Sequence, residues 1–215
     1  LSLEKNADLP QILIFHTHGG SEAFCDSKSG VTAQSIVGVG TTLTYNLKKY
    51  GYNVIHDTTK YDIINGKIDR NKAYNNAAEH VKRTLKKYPS IQVIIDLHRD
   101  GVGNKVHRTT VINGKRTAQV MFFNGLSRTT KLGDIAYLYN PYIADNLAFS
   151  FQMQLAAAEY YPGYTRKIYL KGYRFNMHYC PKTLLVEVGA QTNTVQEAKN
   201  AMVPLADILN KVLSE

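Results

Sequence analysis

The chain has 215 residues, with 26 Lys and Arg against 17 Asp and Glu, and so a formal net charge of +9. Its 44% hydrophobic share excludes the weakly hydrophobic, highly charged pattern of a disordered chain. No stretch approaches the ~20 apolar residues of a membrane helix, residues 1–10 lack the basic and apolar blocks of a signal peptide, and Cys25 and Cys180 make neither a disulfide framework nor a metal-type pair.

From the amino terminus, the run Gln11-Ile12-Leu13-Ile14-Phe15, between Pro10 and Gly19-Gly20, predicts a buried parallel strand with His16-Thr17-His18 at its carboxyl end. Val39, Leu43 and Leu47 recur every four residues before Lys48, Lys49 and Gly51, which predicts a helix with a basic last turn and a glycine stop. Residues 52–57 read as a second strand. Residues 72–87 read as a second helix, with Ala77, Val81 and Leu85 on one face and Tyr88-Pro89 as its stop. Residues 91–98 make the most convincing strand, ending in Arg99-Asp100-Gly101. Asn113-Gly114 between 106–112 and 117–123 predicts a hairpin. A long helix over 140–160, an extended run over 165–170, a buried strand over 183–188 and a closing amphipathic helix over 196–213 complete the chain. This alternation predicts an α/β fold: a single domain, residues 1–215, with a mainly parallel twisted sheet flanked by helices.

Sites in such sheets lie outside the carboxyl ends of the strands. His16, His18, His98 and Glu187 fall at those ends, from three separate strands. A lone histidine is more often a structural hydrogen-bonder than a ligand, but this convergence favours a metal. Catalytic zinc commonly takes two histidines and a carboxylate and keeps one position open. His18 and His98 supply the imidazoles. Glu22, four residues after His18 across a glycine pair, is the expected third ligand. A strand continuing through His16 and His18 would point both the same way, one as ligand and the other behind it; His18, beside the glycines, is preferred. His56 is a weaker candidate, and His80, His107 and His178 are expected in satisfied core or surface roles. Glu187, in an apolar strand, reads as a general base beside the metal; its structural alternative is a salt bridge with Arg174 or Arg99.

Other chemistries fit less well. Val37-Gly38-Val39-Gly40 lacks the Gly-Lys-Ser/Thr of a phosphate loop, and its glycines read as room for close helix packing. Cys25 has no evident activating partner. Basic and aromatic residues interleave over 164–174, a pattern shared by nucleic-acid, carbohydrate and peptide grooves.

Phe15-His16-Thr17-His18 with Glu22-Ala23-Phe24, Val54-Ile55-His56-Asp57-Thr58-Thr59, Ile94-Ile95-Asp96-Leu97-His98-Arg99-Asp100-Gly101, Arg174-Phe175-Asn176 and Leu185-Val186-Glu187-Val188-Gly189 together resemble the stage II sporulation protein P family over nearly the whole chain. The resemblance implies a zinc-dependent N-acetylmuramoyl-L-alanine amidase with an amidase 3 fold, similar to zinc carboxypeptidases, with endopeptidase activity on stem-peptide cross-links. It implies zinc and base roles for His18, His98 and Glu187. Arg99 or backbone donors would stabilise the oxyanion, with Asp100, His16 and His56 as alternative or supporting residues. It further implies an extracytoplasmic protein anchored at the septum during engulfment, with stage II sporulation proteins D and M as partners and no nucleic acid; on this reading an amino-terminal anchor precedes Leu1. The spacing departs from the family at Glu22, shifted by one residue, and at Tyr61, where relatives often carry His. The competing expectation is an inactive wall-binding or nucleic-acid-binding module.

Overall fold

The structure is a computed structural model and describes residues 2, 3, 5, 6 and 8–214. The apolar run after Pro10 forms β1 (Ile12–Phe15), buried along its length. Helix α1 (Ile36–Lys49) follows, its first turn capped by the Ser35 hydroxyl, which accepts from the Val37 N–H, and its last turn carrying Lys48 and Lys49. Then come β2 (Val54–His56) and a short ribbon of β3 (Ile63–Ile64) and β4 (Lys67–Ile68). Helix α2 (Arg70–Lys87) is capped by the Asp69 carboxylate and ends at Tyr88, before Pro89. After β5 (Val93–Asp100), β6 (Thr109–Ile112) and β7 (Lys115–Ala118) form a hairpin, and β8 (Val120–Gly125) continues from it. A second ribbon, β9 (Arg128–Thr129) with β10 (Gly133–Asp134), leads to α3 (Ile143–Tyr160); β11 (Tyr169–Lys171), β12 (Lys182–Ala190) and α4 (Val195–Ser214) close the chain.

The main sheet has the order β11-β8-β12-β5-β1-β2. β12, β5, β1 and β2 are parallel, while β8 runs antiparallel to β12 and carries β11 with it. The mainly parallel sheet expected from the alternation is therefore present. Three segments differ from the expected bounds by more than two residues. Asn113 (φ 49°) and Gly114 (φ 74°) make the left-handed turn of a two-residue hairpin, but its return arm divides at Gln119, whose N–H bonds Arg108 O and whose carbonyl takes the Gly189 N–H. The chain therefore leaves the hairpin and enters the main sheet. Helix α3 starts at Ile143 rather than 140, because the Asn140 side chain accepts the Tyr142 N–H and Pro141 fixes the turn between them. In the 165–170 run only the end is strand, Thr165 contributing an isolated bridge to Val120.

Strand alternation sorts the core onto two faces. Ile12, Ile14, Val93, Ile95, Leu97, Leu184 and Val186 pack with Leu43 and Leu47 of α1, Phe149 and Met153 of α3, and Leu205 and Leu209 of α4. Leu13, Phe15 and Ile94 face the other way, onto Ala77 and Val81 of α2. Among the described residues, α1, α3 and α4 cover the first face and α2 lies on the second. A cleft opens there, beside the strand ends.

Candidate metal centre

Register brings the donors together: Phe15 of β1 pairs with Asp96 of β5, and His98 of β5 with Glu187 of β12. Asp96 and His98 alternate with Leu97 and so lie on the α2 face. The chain past β1 does not continue as strand, contrary to the expectation that His16 and His18 point alike. A turn follows Phe15, in which the Gly19 N–H bonds His16 O and the Ser21 and Glu22 N–H groups bond His18 O. The two histidines part at that turn.

His16 goes under α1 and is fully buried. Its Nδ1 donates to Leu97 O at 2.9 Å, which leaves Nε2 to accept from His56 Nε2, also at 2.9 Å. Burial lowers the pKa of both rings, that of His56 to about 4, so the pair is neutral. Every nitrogen of His16 is engaged, which removes it as a ligand. A Cβ on Gly40 would stand 2.5 Å from His16 Nε2 and 2.8 Å from His56 Nε2. The Gly40 reading of helix packing is thereby corrected: the missing side chain makes room for two imidazoles. Gly38 meets the backbone of Ala33 instead.

His18 turns to α2. Its ring lies edge-on to Tyr74 at 5.5 Å and to His98 at 5.4 Å between centroids, and its buried Nδ1 has no hydrogen-bond partner. Burial, then the charge of His98, lowers its pKa to about 4, the neutral form in which imidazole binds metals.

His98 is flanked by two buried carboxylates. Its Nδ1 is 3.3 Å from Glu22 Oε1; its Nε2 is 2.8 Å from Asp96 Oδ1, a close charge contact that lacks the direction of a hydrogen bond. Burial alone would lower the His98 pKa, but Asp96 and Glu22 raise it well above the usual range. Asp96 is in turn fixed by the Thr17 N–H (2.9 Å) and hydroxyl (2.6 Å). Glu22, 2% exposed, also accepts from the Arg99 N–H at 2.8 Å and from Arg70 Nη2 at 3.4 Å.

The loop carrying His18 and Glu22 is itself clamped. Asp62, fully buried, accepts the Gly20 N–H at 2.8 Å and the Ser21 hydroxyl at 2.5 Å, while Arg70 Nη1 donates to the same hydroxyl at 2.7 Å. Gly20 lies so close to Ile63 and Asp62 that a Cβ there would collide with both. Asp62 and Asp96 escape the sequence reading. Asp62 lies outside any periodic segment. Asp96, two residues before His98 within an apolar strand, was findable as an acid sharing the face of a donor.

Glu187 Oε2 is buried without a partner, and among the described residues Glu187 forms no ion pair with Arg174 or Arg99. Burial pushes its pKa up to about 8, with Glu22, Asp100 and Asp96 adding to the shift and His98 opposing it. Arg99 spends its backbone N–H on Glu22 and one guanidinium N–H on Asp100 O at 3.2 Å. Asp100 pairs with Arg166 at 2.6 Å and is no free donor. The remaining histidines sit apart: His80 with Asp57 at 2.8 Å and in contact with Tyr61, His107 with Glu197 at 2.8 Å, and His178 tilted against Tyr179, its Nδ1 buried without a partner, unlike the satisfied role expected of it. Burial and the acids Asp26 and Glu197 raise the thiol pKa of Cys25, the opposite of an activated nucleophile.

By type, two imidazoles and a carboxylate are the donors that a zinc-type cation takes. The imidazoles of His18 and His98 and the Glu22 carboxylate lie close together, Asp96 and Glu187 stand beside them, and His18 Nδ1 and Glu187 Oε2 are buried and unpaired, each at a cost of ~1–3 kcal/mol that a cation or its bound ligands would offset. Among the described residues, no three His, Cys, Asp or Glu side chains are already drawn to ligand distance of one point. Beside this locus, between α2 and residues 173–176, lies a cleft of about 600 Å³ lined by Arg70, Asn71, Tyr74, Tyr173, Arg174 and Phe175 among others.

Residues 3–210 match the family model for stage II sporulation protein P. The stage II sporulation protein P of Bacillus subtilis (strain 168) is 23% identical over 224 residues, covering 97% of this chain and 52% of that protein, so the chain spans about half of that relative. Among solved structures, the CwlD amidase of Clostridioides difficile, determined in complex with the GerS lipoprotein, superposes with a TM-score of 0.59 at 16% identity, covering 95% of this chain and 98% of that one. The catalytic domain of CwlV, an N-acetylmuramoyl-L-alanine amidase from Bacillus (Paenibacillus) polymyxa var. colistinus, gives 0.52 at 12% identity over 96% and 97% of the two chains. At such identities the likeness shows a shared amidase 3 fold.

Proposed function

The chain belongs to the stage II sporulation protein P family, and on that premise we propose that it is a zinc-dependent peptidoglycan hydrolase that cleaves the N-acetylmuramoyl-L-alanine amide bond and also stem-peptide cross-links. The observation that carries this reading is the meeting of His18, Glu22 and His98 beside an unpartnered Glu187 at the carboxyl ends of three adjacent strands. His18, Glu22 and His98 would hold the zinc, with Asp96 and Asp62 fixing His98 and the Glu22 loop. Zinc at such a site supplies Lewis acidity toward a carbonyl and makes water a nucleophile near neutral pH. Beside a bound cation the ionised form of Glu187 would be favoured, and in that form Glu187 would take a proton from the attacking water and deliver it to the leaving alanine nitrogen, so that the C–N bond breaks as the amine forms. Arg99, whose charge reaches both Glu22 and Glu187, and nearby backbone N–H groups oppose the negative charge on the carbonyl oxygen.

The biological setting is part of the same proposal: the wall of the sporulation septum during engulfment, a membrane-anchored full-length protein, and stage II sporulation proteins D and M as partners. The +9 charge supports attraction to an anionic wall polymer. No helix among the described residues is long and apolar enough to cross a membrane. Purified protein should carry about one zinc per chain and release lactyl-terminated glycan and alanine-terminated peptides from sacculi, read by mass spectrometry. Absence of zinc after preparation in zinc-containing buffer, or a folded Glu187→Gln protein as active as the parent, overturns the mechanism.

A further inference from the structure

The cleft next to the donor cluster has an unusual charge pattern for its position. Two arginines, Arg70 and Arg174, line it with aromatic and amide side chains, and no Asp or Glu does. Arg70 is half exposed and divides its contacts between Glu22 and Ser21. Arg174 donates only to the neutral carbonyl of Tyr139, at 3.1 Å, and forms no ion pair among the described residues. Arg174 thus lines the cleft as a cation without a carboxylate partner among the described residues, and an anion bound in the cleft would supply one.

The backbone under Arg174 is built to hold this arrangement. Phe175 (φ 48°) and Asn176 (φ 56°) are consecutive left-handed residues without being glycine, at a cost of ~1 kcal/mol each. Their surroundings enforce that conformation: Asn176 Nδ2 donates to Tyr74 O of α2 at 2.8 Å, and the Phe175 ring stands edge-on to Tyr74 at 5.5 Å and to Phe123 at 4.7 Å. Tyr74 is also the ring that packs on His18 at 5.5 Å and stacks on His98 at 6.4 Å. The cleft and the donor cluster thus share the Tyr74 ring as a wall.

Resting on the hydrolase reading above, we infer that this cleft is a carboxylate subsite in which Arg174, with Arg70, grips an acidic stem peptide just beyond the scissile amide and so sets which stems are cleaved. A guanidinium matches a carboxylate with two parallel N–H···O bonds, a geometry that neutral N-acetyl sugars do not offer. Glycan in the cleft would stack on Tyr173 and Phe175 but leave the Arg174 charge without a partner.

The test uses two synthetic muramoyl-peptides identical except that the residue after the linking alanine carries a free carboxylate in one and a carboxamide in the other. The parent should prefer the carboxylate form by about tenfold in kcat/KM, mostly through KM. Arg174→Gln should bring that ratio close to one, and Arg174→Lys should restore part of it. Lys86→Gln, an exposed charge on the last turn of α2 away from the cleft, should keep the full ratio. Binding of the free acidic peptide, followed by tyrosine fluorescence without turnover, gives an independent reading. Arg174-dependent binding without hydrolysis of either substrate supports the subsite and refutes the hydrolase. Hydrolysis with equal preference in parent and Arg174→Gln, or displacement of the peptide by an uncharged glycan oligomer, overturns the subsite and leaves the hydrolase standing.

Discussion

Two imidazole pairs stand side by side at the strand ends, and they differ in what is left unsatisfied. In the first, His16 and His56 meet nitrogen to nitrogen at 2.9 Å, the outer nitrogen of His16 is given to Leu97 O, and Gly40 closes over both rings. In the second, His18 and His98 lie ring to ring with no bond between them, carboxylates approach from two sides, and His18 Nδ1 is buried without a partner. The first pair is complete and the second is not. Buried polar atoms are nearly always paired, so an unfinished set among neutral and acidic donors marks where the protein expects something to bind. The closed pair, two residues away in sequence, is stabilising structure.

That contrast makes ordered predictions. The largest effect falls on the open pair. Glu187→Gln should lower the rate of amide cleavage at least a thousandfold, ~4 kcal/mol in the barrier, with an unchanged melting temperature and unchanged zinc content. His18→Ala should lose the zinc as well, measured by metal analysis after dialysis. A zinc-replete His18→Ala protein would mean the donors were assigned to the wrong pair. Next in size is Asp62→Asn, which weakens the clamp on Gly20 and Ser21 without touching a donor. Zinc affinity, titrated against a competing chelator, should fall by about 10–100-fold while the fold persists. An unchanged affinity would show that the Glu22 loop holds itself.

The continuous apolar runs made β1, β5 and β12 readable from sequence, because strands buried on both faces cannot alternate with polar residues. Their polar ends then gave His18, His98 and Glu187. What the sequence hid is set by contacts between distant segments. The parting of His16 from His18 depends on where β1 stops, which is decided by a turn that needs room against Ile63 and Asp62. The division of the hairpin at Gln119 depends on Gly189, seventy residues later, arriving to take its carbonyl. Asp62 acts through two hydrogen bonds that no periodicity announces. Asp96 was within reach, since an acid placed among Ile94, Ile95 and Leu97 must have a partner when buried.

The closed pair has its own tests, with smaller effects. Gly40→Ala puts a methyl into the two rings and should cost about 1–3 kcal/mol of stability, read by denaturant unfolding. Zinc affinity of the folded protein should barely move. A large loss of affinity with little loss of stability would show that the two pairs are coupled rather than separate.

The smallest expected effect is the share of the pH dependence that His56 contributes to the closed pair. Burial, with the neighbouring His16 adding to it, lowers the His56 pKa to about 4, against about 6.5 in an unfolded chain. Between those values the unfolded chain binds a proton that the folded ring refuses, so stability rises with pH across that window. The contribution is complete above about pH 6.5 and is lost as the pH falls toward 4, where the folded ring too becomes charged. Solvent reaches part of the ring, which holds the contribution to on the order of 1–2 kcal/mol. His56→Gln keeps an N–H to offer to His16 Nε2 but cannot titrate. Its unfolding free energy should therefore be flatter than the parent's between pH 6.5 and 4, by that amount. Parallel curves for the two proteins would show that His56 carries none of the acid sensitivity and that burial in the closed pair does not hold its ring neutral.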